Sequence, residues 1–396
     1  MILGIDLGNS YGRIAKYKIN GFRSGLDMVF HPYENNISIP SKVYFPDAES
    51  VDKPIVGSPA IQRGITKPNL YFEAFKQGLD GNAVIERDGG FKITPVELST
   101  IVLKKMLEAV DSEEGPNMFV PKHIVMSIPS AYNESQLYYT KESIKQAVSN
   151  QYGGRRGYNE NIFFRLIPEP AAVTLDLLYK YPQDCDQSKI IVFDLGSSHL
   201  DISIVEVNSV INKESITTKI LANNSYNIGG DIFDDLLRAY VLKKNGYEKL
   251  ELAPQGEALF IERCRELKCA LTFTDSEEIC VPYIDGQSHL QDVVTRKEFE
   301  QCLSGEISNG KNYLSLIDNM IQSTLTSTNI SQNEIAACIL CGGSSSIPII
   351  YDLLSNYFSE KIVLTGRDSV ARGAALLGAY EFERASFFAR LKSNRW

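Results

Sequence analysis

Apolar runs of membrane length are missing from this sequence; a spanning helix needs roughly 20 consecutive apolar residues. The start, Met1-Ile2-Leu3-Gly4-Ile5-Asp6, has no basic region ahead of an apolar signal core, because Asp6 interrupts it. Positive charge is in deficit, with 40 Lys and Arg against 49 Asp and Glu and a net charge of −9. That balance argues against nucleic-acid and anionic-membrane partners, and the local exception, Arg155-Arg156, reads as a solvated loop. Histidine is scarce, at four residues, and dispersed. Of seven cysteines only Cys338-x-x-Cys341 has metal-site or redox spacing, and it lies in the apolar run Ile335 to Leu340 just before a glycine turn. No histidine is at hand to complete a site there. The cysteines therefore read as free, mostly buried thiols in a reducing, cytoplasmic compartment.

What the chain does contain is one phrase stated twice. Ile2-Leu3-Gly4-Ile5-Asp6-Leu7-Gly8-Asn9-Ser10 returns 188 residues later as Ile190-Ile191-Val192-Phe193-Asp194-Leu195-Gly196-Ser197-Ser198. Each copy is an apolar strand ending in Asp-Leu-Gly, then a tight turn, then a returning strand. Glycine lets the backbone approach a ligand, and successive turn N–H groups can surround an anion. A strand-end aspartate alone is often only a turn former. Two such turns, one per half, predict a clamp on a polyphosphate, with Asp6 and Asp194 converging on its metal ion.

At 396 residues the chain is long enough for two large domains. Strand-dense starts and helix-rich ends in both halves predict an α/β protein with a pseudo-twofold relation and a central cleft. Lobe I spans 1–184, with a core at 1–36 and 122–184 and an inserted subdomain at 37–121. Lobe II spans 185–384, with a core at 185–227 and 308–384 and an insertion at 228–307, leaving a tail at 385–396. Asn133 is placed to cap a helix reaching Val148, and Pro95 to Val110 has a helical period.

Phosphoryl chemistry needs charge placed correctly more than it needs covalent participation. Asp6 and Asp194 can hold a hydrated magnesium ion, Asp201 extends the carboxylate set, and Glu169 is fixed between Pro168 and Pro170. These carboxylates would repel phosphates unless a cation offsets them, and Lys76 is the candidate. Taken alone, Lys76 fits a solvated surface lysine equally well. Gly229-Gly230 and Gly342-Gly343-Ser344 each lead into a helix, whose free N–H groups favour anions.

These motifs together resemble the nucleotide-binding domain of the 70-kDa heat-shock protein chaperones, within the actin and sugar-kinase fold. Gly4 to Tyr11 is similar to the first phosphate motif and Phe193 to Asp201 to the second. Ile128-Pro129-Ser130, Ile167-Pro168-Glu169-Pro170, Ile228-Gly229-Gly230-Asp231 and Cys341-Gly342-Gly343-Ser344 also match, and Pro68 precedes Lys76 by the family's spacing. The resemblance implies an actin-like ATPase fold (ribonuclease-H-like) that binds ATP or ADP, organises magnesium or potassium, and hydrolyses ATP slowly as the lobes close. Asp6, Lys76, Glu169, Asp194 and Asp201 would form the catalytic and cation-organising set. Gly8, Asn9, Ser10, Tyr11, Gly196, Ser197, Ser198, Gly229, Gly230, Gly342, Gly343 and Ser344 would contact phosphates and sugar, and Lys268 matches the adenosine-helix lysine. Partners of the co-chaperone or nucleotide-exchange type are implied too.

The chain departs from the family at Asn9, Ser197, Ser198 and His199, around the γ-phosphate. It departs more heavily around the base. Cys269 and Ser346 stand where two arginine stems hold adenine, Arg265 replaces an acidic ribose contact, and Arg367 an aspartate. Arg265, four residues before Cys269 on one helix face, is expected to supply the missing stacking surface. The family's apolar linker, peptide-binding domain and lid have no counterpart after Tyr380, which fits either an excised domain or a natural short form. Two further readings stay open: a degenerate, non-hydrolysing module that regulates or binds partners, and a small-molecule kinase.

Overall fold

In the computed structural model, residues 1–20, 23–47, 53–81, 83–115, 120–155, 158, 162–305 and 312–393 are described. Two sheets are built on one plan. In the first, strand Ile2–Leu7 pairs antiparallel with Tyr11–Asn20, which pairs antiparallel with Arg23–Met28. On its other side it pairs parallel with His123–Ile128, which pairs parallel with Phe163–Pro168. In the second, Cys185–Leu195, Leu200–Val210 and Ser215–Tyr226 form the antiparallel run, and Ile335–Cys341 and Ile362–Leu364 add in parallel. Order and sense repeat strand for strand, which is the architecture of an actin-like ATPase.

Strand alternation sorts the side chains of each first strand into two cores. Leu3, Ile5 and Leu7 face an outer core with Leu98, Val102 and Met106. Ile191, Phe193 and Leu195 face another with Phe233, Phe260 and Leu267. The alternate residues, Ile2 and then Ile190 and Val192, join a third core between the sheets. Asp6 and Asp194 occupy the last inward position of each row, so the period that buries the strands also aims both carboxylates at the space between the lobes.

Helices Glu169–Lys180 and Ser369–Phe382 fill that third core. Each follows the last strand of its sheet. They cross closely: a Cβ on Gly373 would collide with the backbone of Ala172, so Gly373→Ala should force the helices apart at about 1–3 kcal/mol. Asp176 ties the pair, accepting from Ser369 Oγ at 2.7 Å and Arg372 Nε at 2.9 Å. Asn133 caps its helix as expected, in a reciprocal box with Gln136. Arg155 differs from the expectation of a solvated loop. It pairs with Asp111 at 2.8 Å and lies over the Tyr152 ring, because burial of Asp111 demands a counter-ion. Arg156 lies outside the described residues.

The segment after Phe382 forms a helix, Arg384–Ser393, whose Phe387, Phe388 and Leu391 are buried in the shared core. No described helix is long and apolar enough to cross a membrane.

Candidate nucleotide site

The two glycine turns close in the same way. Gly8 N–H donates to Tyr11 O at 2.9 Å, and Gly196 N–H donates to His199 O at 3.0 Å. Across the cleft Asn9 Nδ2 donates to Ser198 Oγ at 2.8 Å, so the turns touch directly. Gly342, at φ 75°, allows strand Ile335–Cys341 to end against Asp194, since a Cβ there would collide with the backbone of Leu195. Gly230 and Asp231 correct the expectation of free helix-terminal donors. Their N–H groups bond to Gly196 O at 3.0 Å and Ser197 O at 2.6 Å. The start of helix Gly230–Lys244 braces the second turn from behind, and those donors are spent. Above Gly343 the surface is open for 4 Å.

Lys76 is not a surface lysine. Ala74, in the left-handed region at φ 53°, turns the chain into the 3-10 segment Phe75–Asp80 and carries Lys76 inward to 5% exposure. Its Nζ sits 3.4 Å from Glu169 Oε1 and 5.7 Å from the centre of the Tyr132 ring. Burial opposes the ammonium charge, but Tyr132, Glu169 and Asp6 outweigh it and raise the pKa. The Glu169 carboxyl rises to about 7, first through burial, then against the pull of Lys76 with Asp6 and Asp201 pushing upward. Asp194 is raised well above the carboxylate range by burial, then by Glu169, Asp201 and Asp6, with Lys76 opposing. Asp201, the cross-strand neighbour of Asp194, is raised mainly by burial. Asp6 accepts from Ser127 Oγ at 3.1 Å and faces Arg13 Nη1 at 3.7 Å.

Such a set calls for added positive charge. Buried acceptors without a partner, Asp201 Oδ1 and Asn9 Oδ1, would be met by water on a hydrated cation. Among the described residues no three His, Cys, Asp or Glu side chains lie close enough to hold a metal directly. Such residues would hold a magnesium ion through its waters, and the ion would supply the positive charge that the set lacks.

The nucleoside side differs. Cys269, Ser346 and Arg367 are exposed. Lys268 is committed to Asp234 Oδ1 and Gly230 O, both at 2.8 Å. Arg265 forks onto Glu73 of the other lobe, Nη1 to Oε2 at 2.9 Å and Nη2 to Oε1 at 2.8 Å, and also meets Glu262 at 3.3 Å. It is thus an interlobe tie, with its guanidinium engaged by carboxylates. Glu73, which also pairs with Lys42 at 2.7 Å, has its carboxyl pulled down to about 2: burial works against the charge, but Arg265 and Lys42 prevail. Beneath this tie lies a cavity of about 280 Å³ whose lining includes Asn9, Lys42, Ser197 and Asp231.

Asp6, Lys76, Glu169, Asp194 and Asp201 are gathered at one place, as their mutual electrostatic effects show. Arg13, Tyr132, Ser127 and Glu73 are the site residues that sequence reading passed over. Arg13 had a signal: it follows Asp6 by the same seven residues that separate Asp201 from Asp194. The sequence model of the Hsp70 protein family matches residues 58–381, more than half of the chain. The match takes in Lys76, Glu169, the second turn and both double-glycine segments. The first turn precedes it and is tied to the site by the repeated sheet plan.

Proposed function

Because this chain belongs to the Hsp70 family, whose members are ATP-binding, ATP-hydrolysing chaperones, we propose that its cleft binds ATP with magnesium and hydrolyses it slowly, in step with lobe closure. The observation carrying this reading is Lys76, buried against Glu169 with both strand-end aspartates in electrostatic reach. The two turns receive the phosphates. When bound, the magnesium ion neutralises phosphate charge as it develops. Asp6 and Asp194 orient its water shell, Lys76 faces the transferring phosphate, and Glu169 and Asp201 accept hydrogen bonds from the attacking water. Glu169, with a carboxyl near 7, is suited to take and return the proton.

The cavity under the Arg265–Glu73 tie falls below the roughly 300–1,000 Å³ of ordinary ligand pockets. Opening of that tie would widen the way in for a nucleotide, and its re-formation would complete closure. Protein partners of the co-chaperone or exchange type would act on this step. Calorimetry with ATP and magnesium tests the reading: binding at sub-millimolar nucleotide is expected, and silence at millimolar nucleotide would reject it.

A second reading, a non-hydrolysing module, is favoured by the direct Asn9–Ser198 bond and by the engaged Arg265. Single-turnover hydrolysis equal to buffer, in wild type and Asp194→Asn alike, would select it.

A further inference from the structure

The repeated plan makes Arg13 the counterpart of Asp201. Asp194 lies opposite Asp201 in the second hairpin, and Asp6 lies opposite Arg13 in the first. The same position carries opposite charge in the two halves. Arg13 is held from its inner end: Nε donates to Ser38 Oγ at 2.8 Å, and the guanidinium lies 5.8 Å from the centre of the Tyr11 ring. Its side chain is 11% exposed. Nη1 stands 3.7 Å from Asp6 Oδ2, too far for a hydrogen bond, and neither terminal amino group donates to a described residue. Its Nε is fixed while its terminal amino groups are turned to solvent and open to a ligand, and a tetrahedral oxyanion supplies acceptors two at a time. Asp6 alone does not saturate it.

We propose that Arg13 is a phosphate-binding residue of the first turn, whose fork takes oxygens of a polyphosphate while its charge offsets Asp6. The inference rests on the phosphate half of the reading above, and it needs neither adenine recognition nor hydrolysis. In consequence the first turn attracts anions without help, whereas the second, with Asp194 and Asp201, depends on a cation brought to it. Specificity follows from the geometry: a lysine would restore the charge but not the paired donors.

The test is calorimetric titration of pyrophosphate into the full chain in metal-free buffer with chelator. Wild type should bind. Arg13→Gln should weaken binding by about tenfold, the effect expected for one charge at close range in a partly screened site. Arg13→Lys should fall between them, and Asp6→Asn should tighten binding by removing a negative charge beside the phosphates. Melting temperatures of the variants separate loss of contact from loss of fold. If Arg13→Gln does not fold, Arg13→Lys carries the comparison. Equal pyrophosphate affinity in wild type and the Arg13 variants would overturn the proposal, as would absence of pyrophosphate binding to the wild type. A pyrophosphate difference that persists while ATP with magnesium fails to bind would instead reject the nucleotide reading and leave Arg13 in its role.

Discussion

The two halves build the same turn on the same strand order and then charge it differently. On the first side Asp6 is flanked by a hydroxyl donor, Ser127, and a cation, Arg13, and the inserted subdomain adds Lys76. On the second side Asp194 faces Asp201 in register, and burial with the neighbouring carboxylates drives its pKa upward. Lys76, which belongs to the first half, opposes that rise. The second half thus draws part of its charge compensation from across the cleft. In the proposed reaction the first lobe and a ligand-borne cation together would supply the charge that offsets these carboxylates.

Removing the shared cation breaks the comparison most severely. Lys76→Ala should lower single-turnover hydrolysis by about 10²-fold, the scale of a lost transition-state charge contact. Nucleotide affinity should change less, since the turns remain; an unchanged rate would show that the second half does not depend on Lys76. The interlobe tie comes next. Glu73→Gln removes the charge to which Arg265 and Lys42 are joined, and release of a labelled nucleotide, followed by stopped flow, should quicken by about tenfold, as for a partly buried ion pair. No change in release would uncouple the tie from closure.

The contrast between phosphate and nucleoside sides can be sharpened by Cys269→Arg. A guanidinium plane at that exposed position should tighten ATP binding by about threefold to tenfold, the range of a stacking cation, and leave pyrophosphate binding unaltered. Equal effects on both ligands would place the base elsewhere.

The smallest effect is on stability. The Glu169 carboxyl is raised to about 7 in the folded protein from an ordinary 4.5. Between those values the folded state holds more protons than the unfolded state, so this group's contribution falls as pH rises from about 4.5 to 7 and is flat above. Glu169→Gln should therefore raise the melting temperature at pH 8 without metal by about 2–4 °C and leave it nearly unaltered at pH 4. A rise of equal size at both values would remove titration as the cause.

Much of this frame was legible in the residues, because it rests on local signals. The Asp-Leu-Gly turns follow apolar runs, and the Asn133 cap sits three residues before Gln136. Period-2 burial then puts Asp6 and Asp194 on the inner face. Features that depend on cross-strand register or on contact between lobes were not legible. The opposition of Arg13 to Asp6 exists only once the hairpin register is fixed. Arg265 was expected over the base because its helix position allows that, but the distant carboxylate of Glu73 captures it. The double glycine at Gly229-Gly230 suggested free donors, and only the fold shows those donors turned onto Gly196 and Ser197. Lys76 was ambiguous for a related reason: nothing in its immediate sequence reveals that Ala74 adopts a left-handed conformation and sends it inward.

The central claim is that the two unlike halves act together on one polyphosphate, the second through a cation. It is tested most directly by calorimetric titration of ATP, with and without magnesium, into wild type and Asp194→Asn. Wild type should bind ATP more tightly when magnesium is present, and Asp194→Asn should lose most of that gain while keeping metal-free binding to the first turn. An identical magnesium response in both proteins would contradict it.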